Sequence, residues 1–227
     1  MVAAPAPLRS RSHSTTPCVL LTGFDPFGDA AVNPSWLVAE ALHGRQIARH
    51  RVQVAQLPTM FDAATKRLDV LLARHRPALV ISLGLAAGRA ALSLERVAIN
   101  VNDARIPDNA GAQPIDTPVV AGAPAAYFST LPIKAMRQAM LDADVPTEVS
   151  QTAGTFVCNH VFFALMHRLA TAPALAGARG GFIHVPLLPG MGTPSLPLNT
   201  QVKGVRVAIR VALVQSVDQR LEGGALH

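Results

Sequence analysis

The chain has 227 residues, half of them hydrophobic and 15% charged, enough for one sizeable core and incompatible with a disordered polypeptide. No apolar run approaches the roughly 20 residues that span a bilayer, and 2 cysteines are too few for a disulfide framework, which favours a reducing compartment, the cytoplasm. The net charge of +6 does not single out nucleic acid as a partner: the basic groups are scattered, only Lys66, Lys134 and Lys203 are lysines, and 1 Trp and 1 Tyr offer little stacking surface.

Residues 1–16 are rich in Pro, Ser and Arg and lack the apolar stretch of a secretory signal; a disordered extension is expected, followed by one domain over 17–227. Val19 to Thr22 reads as a buried first strand ending at Gly23. Asn33 is placed to cap a helix that starts at Pro34 and runs to about Leu42. Val52 to Leu57 predicts a strand closed by Pro58, and Phe61, Ala64, Leu68, Leu71 and Leu72 repeat at helical spacing up to His75. Pro77 stops that helix, and Ala78 to Leu83 is the clearest buried strand. The middle, about 84–122, is rich in Gly, Pro, Asn and Asp; a strand over Leu92 to Asn100 and a long ordered loop are expected there.

A helix over Pro132 to Ala143 and a strand over Thr147 to Ser150 follow. After them come a helix carrying Cys158, an apolar strand carrying His184, and a last helix with Val205, Ile209, Leu213, Val217 and Leu221 four apart. Strands alternating with helices, without internal repeat or linker, imply a single-domain α/β/α sandwich on a twisted, mostly parallel but mixed sheet.

Three segments carry chemistry. Cys158 follows a turn of small residues, Thr152-Ala153-Gly154-Thr155, that can present its sulfur at a helix N-terminus, where the thiolate is favoured. A buried, inert cysteine is the commoner fate of such a residue, and for Cys18 that reading prevails. Of 8 histidines only His184 lies in an apolar strand, beside Pro186 where a cleft would open; His160 and His167 point away from a sulfur at the start of their helix. Glu95 sits next to Arg96, which suggests an ordinary ion pair, yet its apolar neighbours Leu94 and Val97 call for a buried partner such as an imidazolium. Cysteine, histidine and carboxylate are the parts of a nucleophile, its base and the group that orients the base. No residue spacing suits a structural metal, and Gly84 to Arg89 lacks the ending of a phosphate loop.

Several ordered segments carry a resemblance that spans Val19 to the last helix. They are Thr22-Gly23-Phe24-Asp25-Pro26-Phe27-Gly28 with Asn33-Pro34, Gly84-Leu85-Ala86-Ala87-Gly88-Arg89, Ser93-Leu94-Glu95-Arg96-Val97-Ala98-Ile99-Asn100, Asp103 to Asn109, Gly122 to Pro132, and the Cys158 and His184 segments. Together they resemble pyroglutamyl peptidase I (pyrrolidone-carboxylate peptidase), a family of intracellular cysteine peptidases. The resemblance implies a catalytic triad of Glu95, Cys158 and His184. It also implies a substrate pocket with Phe24 and Phe27, further residues Thr59, Ile106, Phe156 and Val157, and Arg105 near the active centre. It further implies cleavage of an N-terminal pyroglutamyl residue from peptides through a thioester, without cofactor, by a homotetramer; with the composition and charge above, no metal, membrane or nucleic-acid partner is expected. The chain departs from the family pattern in the extension before Pro17, in Leu85 where some members have glutamine, and in a short stretch from Pro189 to Pro197. Three other readings stand beside this one: a silent binder of capped peptides, a basic nucleic-acid-binding protein, and another hydrolase or phosphorylase of the same architecture.

Overall fold

The computed structural model describes residues 17–224; the N-terminal extension, with His13, and His227 lie outside the described residues. Alternation of apolar residues along the first strands builds two cores rather than one. In β1 (Cys18–Phe24), Val19 and Leu21 join one cluster while Leu20 and Phe24 join the other. In β4 (Leu79–Leu85), Leu79, Ile81 and Leu83 join the first and Val80 the second. A strand buried on both sides needs helices on both faces, and these cover it. The first cluster packs α1 (Pro34–Ala41), α3 (Ile133–Leu141) and α5 (Leu198–Val214). The second packs α2 (Phe61–His75) and α4 (Val157–Thr171). The α/β/α sandwich expected from the sequence is the fold, and no helix among the described residues is long and apolar enough to cross a membrane.

The remaining strands of the 7-stranded sheet are β2 (Gln46–Ile47), β3 (His50–Leu57), β5 (Leu92–Glu95), β8 (Thr147–Ser150) and β9 (Arg179–Val185), in the order β2-β3-β1-β4-β9-β5-β8. Pairing is parallel except for β2 with β3 and β5 with β9. The sheet is thus mixed, with its antiparallel β5–β9 join next to the strand that carries His184.

Most elements lie where the sequence placed them. Asn33 caps α1 by accepting a bond from the Ser35 N–H at 3.1 Å, with Pro34 in the first turn. Two expectations are corrected. The stretch Leu92 to Asn100 is not one strand: it breaks at Arg96 into β5 and β6 (Val97–Ile99), and β6 leaves the main sheet to pair with β7 (Ala126–Phe128). That partner lies beyond the expected loop, within which Asn102 and Thr117 form an isolated bridge. The last helix begins at Leu198 and ends at Val214, so Val217 and Leu221 are off it and exposed. The chain beyond the helix instead runs back across the fold: the Asp218 carboxylate accepts from the N–H groups of Lys134 and Ala135 and so caps α3, and the Gly223 carbonyl accepts from Arg96 and Gln151.

Candidate active site

Parallel strands end together, and the loops beyond their carboxyl ends form a crevice. Here the ends of β1, β3 and β4 contribute Phe24, Thr59 and Leu85 to a cavity of about 370 Å³. Phe27 and Asn33 extend one wall; Asp103, Arg105 and Ile106 form a second; Thr155, Phe156, Val157 and Cys158 form the floor. All seven residues assigned to a substrate pocket by resemblance therefore face one space, as does the sulfur. Leu85 gives that wall an apolar side chain.

The walls are held by their own polar groups. Asp25 accepts from the Thr59 N–H at 2.6 Å through its carboxylate, and its carbonyl accepts from the side chains of Asn33 and Thr59. Asn109 accepts from the Gly28 N–H and donates to the Pro26 carbonyl, tying the Phe27 loop to the long loop opposite. Phe156 meets Phe27 edge to face at 5.5 Å and Phe61 at 5.3 Å. The resulting lining is mostly apolar, with Phe24, Phe27 and Phe156 among its residues.

Below the cavity, β9, β5 and α4 assemble the chemistry. On β9, Ile183 and Val185 point into one core, so His184 points to the opposite side, towards α4. On β5, Leu92 and Leu94 likewise leave Ser93 and Glu95 on the α4 side. The antiparallel register sets Ser93 opposite His184, and Glu95, fully buried, lies 2.7 Å through Oε1 from His184 Nδ1. The neighbour Arg96 projects the other way and donates to the Gly223 carbonyl, so the sequence-adjacent ion pair does not form. Glu95 takes Arg89 instead, whose Nη1 donates to the same oxygen at 2.7 Å.

Cys158 is the second residue of α4. Gly154 makes the turn before it in the left-handed region at φ +76°, a conformation costly for a residue with a Cβ. The first N–H bonded inside the helix is that of His160, to the Phe156 carbonyl; those of Val157, Cys158 and Asn159 precede it and have no acceptor within the helix. The sulfur rests above Gly84, which pairs with His184 across the β4–β9 ladder. A Cβ at position 84 would come within 2.8 Å of Sγ, so the absence of a side chain there is what makes room for the sulfur. Burial pushes the Cys158 thiol up to about 12, the Glu95 charge adds to this, and Arg89 opposes it.

Several positioning groups were not apparent in the sequence. Asn159, fully buried, donates to the carbonyls of Ile99 and Val101 and accepts from the Ile99 N–H, which fastens the first turn of α4 to β6. His160 turns its Nδ1 to Asn102 at 2.9 Å, away from the sulfur as expected, and burial lowers it to about 4. Gln201 donates to the carbonyls of Pro186, Leu187 and Leu196, holding the short Pro189–Pro197 stretch back against the end of β9. These became visible only when distant segments met. Cys18 lies apart, at the start of β1, with its thiol raised by burial and donated to the His75 carbonyl.

The family model described as pyroglutamyl peptidase matches residues 18–215. Over 216 residues the chain is 58% identical to a pyrrolidone-carboxylate peptidase of Cupriavidus taiwanensis, covering 93% of this chain and all of that one. It is 56% identical over 214 residues to the enzyme of the same name from Cupriavidus necator, covering 92% and 99%. The crystal structure of pyroglutamyl peptidase I from Bacillus amyloliquefaciens superposes with a TM-score of 0.88 at 40% identity, over 92% of this chain and 100% of that one.

Proposed function

The chain belongs to the pyroglutamyl peptidase family of cysteine peptidases, and on that premise we propose that Cys158, His184 and Glu95 are its nucleophile, acid–base and orienting carboxylate. The observation that carries this reading is the 2.7 Å His184–Glu95 pair, with His184 in register with the Gly84 over which the sulfur of Cys158 lies at the floor of an apolar, aromatic-walled cavity.

The substrate is a peptide whose N-terminus is a pyroglutamyl ring, a flat, neutral lactam. Phe24, Phe27 and Phe156 cover its faces, while Thr59, Ile106 and Val157 shape the space around them and Arg105 stands at the rim. An ordinary peptide N-terminus would bring an ammonium into this lining; burying it unpaired costs at least several kcal/mol, so selectivity rests partly on exclusion. With the ring seated, Cys158 Sγ attacks the carbonyl that joins it to the next residue while His184 takes the thiol proton. The developing oxyanion is received by N–H groups of the first turn of α4, which have no helical acceptor. His184 then returns the proton to the leaving amine, the thioester forms, and water activated by His184 releases pyroglutamate. Glu95 keeps the imidazole oriented and provides countercharge when it is protonated.

Hydrolysis of a pyroglutamyl arylamide, beside prolyl and free glutamyl analogues under reducing conditions, tests this. Release from the pyroglutamyl compound alone, abolished by alkylating Cys158, is expected. Release that survives alkylation refutes Cys158 as the nucleophile. The family resemblance further supports a homotetramer and a cytoplasmic site of action; light scattering and cell fractionation test these separately.

A further inference from the structure

Glu95 is fully buried, and its two oxygens are used unequally. Oε1 accepts from both His184 Nδ1 and Arg89 Nη1, each at 2.7 Å, while Oε2 has no partner among the described residues. The other arm of the same guanidinium, Nη2, donates at 3.0 Å to the carbonyl of Thr152, in the turn that delivers Cys158 to the head of α4. We propose that Arg89 is a positioning residue of the reaction: one planar cation balances the buried carboxylate behind the acid–base and locks the nucleophile's approach turn to it. This rests on the roles proposed above for Cys158, His184 and Glu95.

The charge count supports it. With Arg89 present, a neutral thiol, a neutral imidazole and Glu95 carboxylate sum with the guanidinium to zero. Moving the thiol proton to His184 leaves that total at zero. Without Arg89 the same cluster holds a net negative charge in a poorly solvated place, and a thiolate must form facing an uncompensated carboxylate. The groups that face the cluster are Glu95 from β5, His184 from β9, Cys158 from α4, Arg89 from the turn after β4, and Asp103 and Arg105 from the loop over the cavity. Glu148 of β8 is engaged by Ser93. Arg89 is the cation bonded to the carboxylate, and it is the charge that pulls the Cys158 thiol down against burial and Glu95.

Geometry adds a second requirement. Arg89 can bond Glu95 and Thr152 together because its donors form a rigid fork; a lysine keeps the charge but presents a single point on a flexible stem. Arg89→Gln and Arg89→Lys therefore separate the two roles.

The test follows alkylation of Cys158 by iodoacetamide across pH, read by mass spectrometry on the peptide containing it, together with kcat and KM for the pyroglutamyl arylamide. Arg89→Gln is expected to displace the alkylation profile to higher pH by about one unit, equivalent to about tenfold slower alkylation at any pH below its midpoint. Its kcat falls at neutral pH with KM little changed. Arg89→Lys keeps the wild-type alkylation profile and still loses kcat, because the bridge to Thr152 is gone. A purely structural arginine would lower activity without moving the profile; an unmoved profile in Arg89→Gln overturns the proposal. So does an Arg89→Lys enzyme with full kcat, which decides the matter if Arg89→Gln does not fold by circular dichroism. Because alkylation needs no substrate, the result stands apart from whether pyroglutamyl compounds are cleaved.

Discussion

His184 and His160 lie on the same side of the sheet, each with Nδ1 held against a side-chain oxygen, 2.7 Å from Glu95 in one case and 2.9 Å from Asn102 in the other. Both are nearly inaccessible, at 4% and 6% exposure. The two regions differ in what the oxygen belongs to. Around His184 the acceptor is a carboxylate already balanced by Arg89, so a proton can arrive on the imidazole with countercharge in place. Around His160 the acceptor is a neutral amide, and burial lowers this imidazole to about 4, which leaves it uncharged at neutral pH. On the proposed reading, the same residue type serves proton transfer in one setting and tethers a neighbouring segment in the other. Burial alone does not mark a histidine as an acid–base; the charge of its partner does.

Four substitutions test that contrast. Cys158→Ala removes what the His184 region acts on, and the rate on a pyroglutamyl arylamide is expected to fall by roughly 10³-fold or more, with an unchanged far-ultraviolet spectrum. Glu95→Gln keeps the shape but turns the His184 surroundings into those of His160, an imidazole facing an amide. A loss of kcat of roughly 10²–10⁴-fold is expected, and retention of near wild-type kcat would erase the distinction drawn above. Gly84→Ala leaves every charge in place but puts a methyl group where the sulfur and the Phe182 ring now lie, at 2.8 Å from each. Displacing Sγ in this way is expected to cost about 10²-fold in kcat, visible in single-turnover kinetics.

His160→Gln is the mildest and the most telling. Activity stays within about tenfold of wild type, while stability at neutral pH drops by about 1–3 kcal/mol in urea titration, the range for disturbing a buried polar contact. The pH dependence has a definite sign. Unfolded, His160 protonates near its ordinary value of 6.5; folded, it resists protonation until about 4. The unfolded chain therefore binds the extra proton first, and stability drains away as pH falls from 6.5 towards 4. His160→Gln lacks this contribution, so its loss of stability over that window is expected to be shallower than that of the wild type.

Much of this arrangement was readable before the fold was known, for specific reasons. The helix Phe61–His75 matched to the residue because its apolar repeat, its first-turn Asp62 and the stop at Pro77 all agree. The strand Thr147–Ser150 likewise matched. The break at Arg96 was hidden because both halves of Leu92 to Asn100 have strand character, and only tertiary pairing sends one to β9 and the other to β7. Val217 and Leu221 continued the period of the last helix, but Asp218 between them is engaged at the start of α3, which holds this segment off the helical path. In the site, Cys158, His184 and Glu95 each stood out in its own segment. Arg89, Gly84 and Asn159 did not, since each matters through a contact with a segment distant in the chain.

The order of strands bears on how the molecule is made. β9 is inserted between β4 and β5, yet it is synthesised after both, and after β8 as well. A sheet without β9 has a gap at its centre, with the unpaired backbone edges of β4 and β5 facing each other. The strand that closes this gap also carries His184, so the sheet and the proposed acid–base are completed together. A chain interrupted before Arg179 is expected to be inactive and to aggregate when expressed, rather than to accumulate as a partly working fragment.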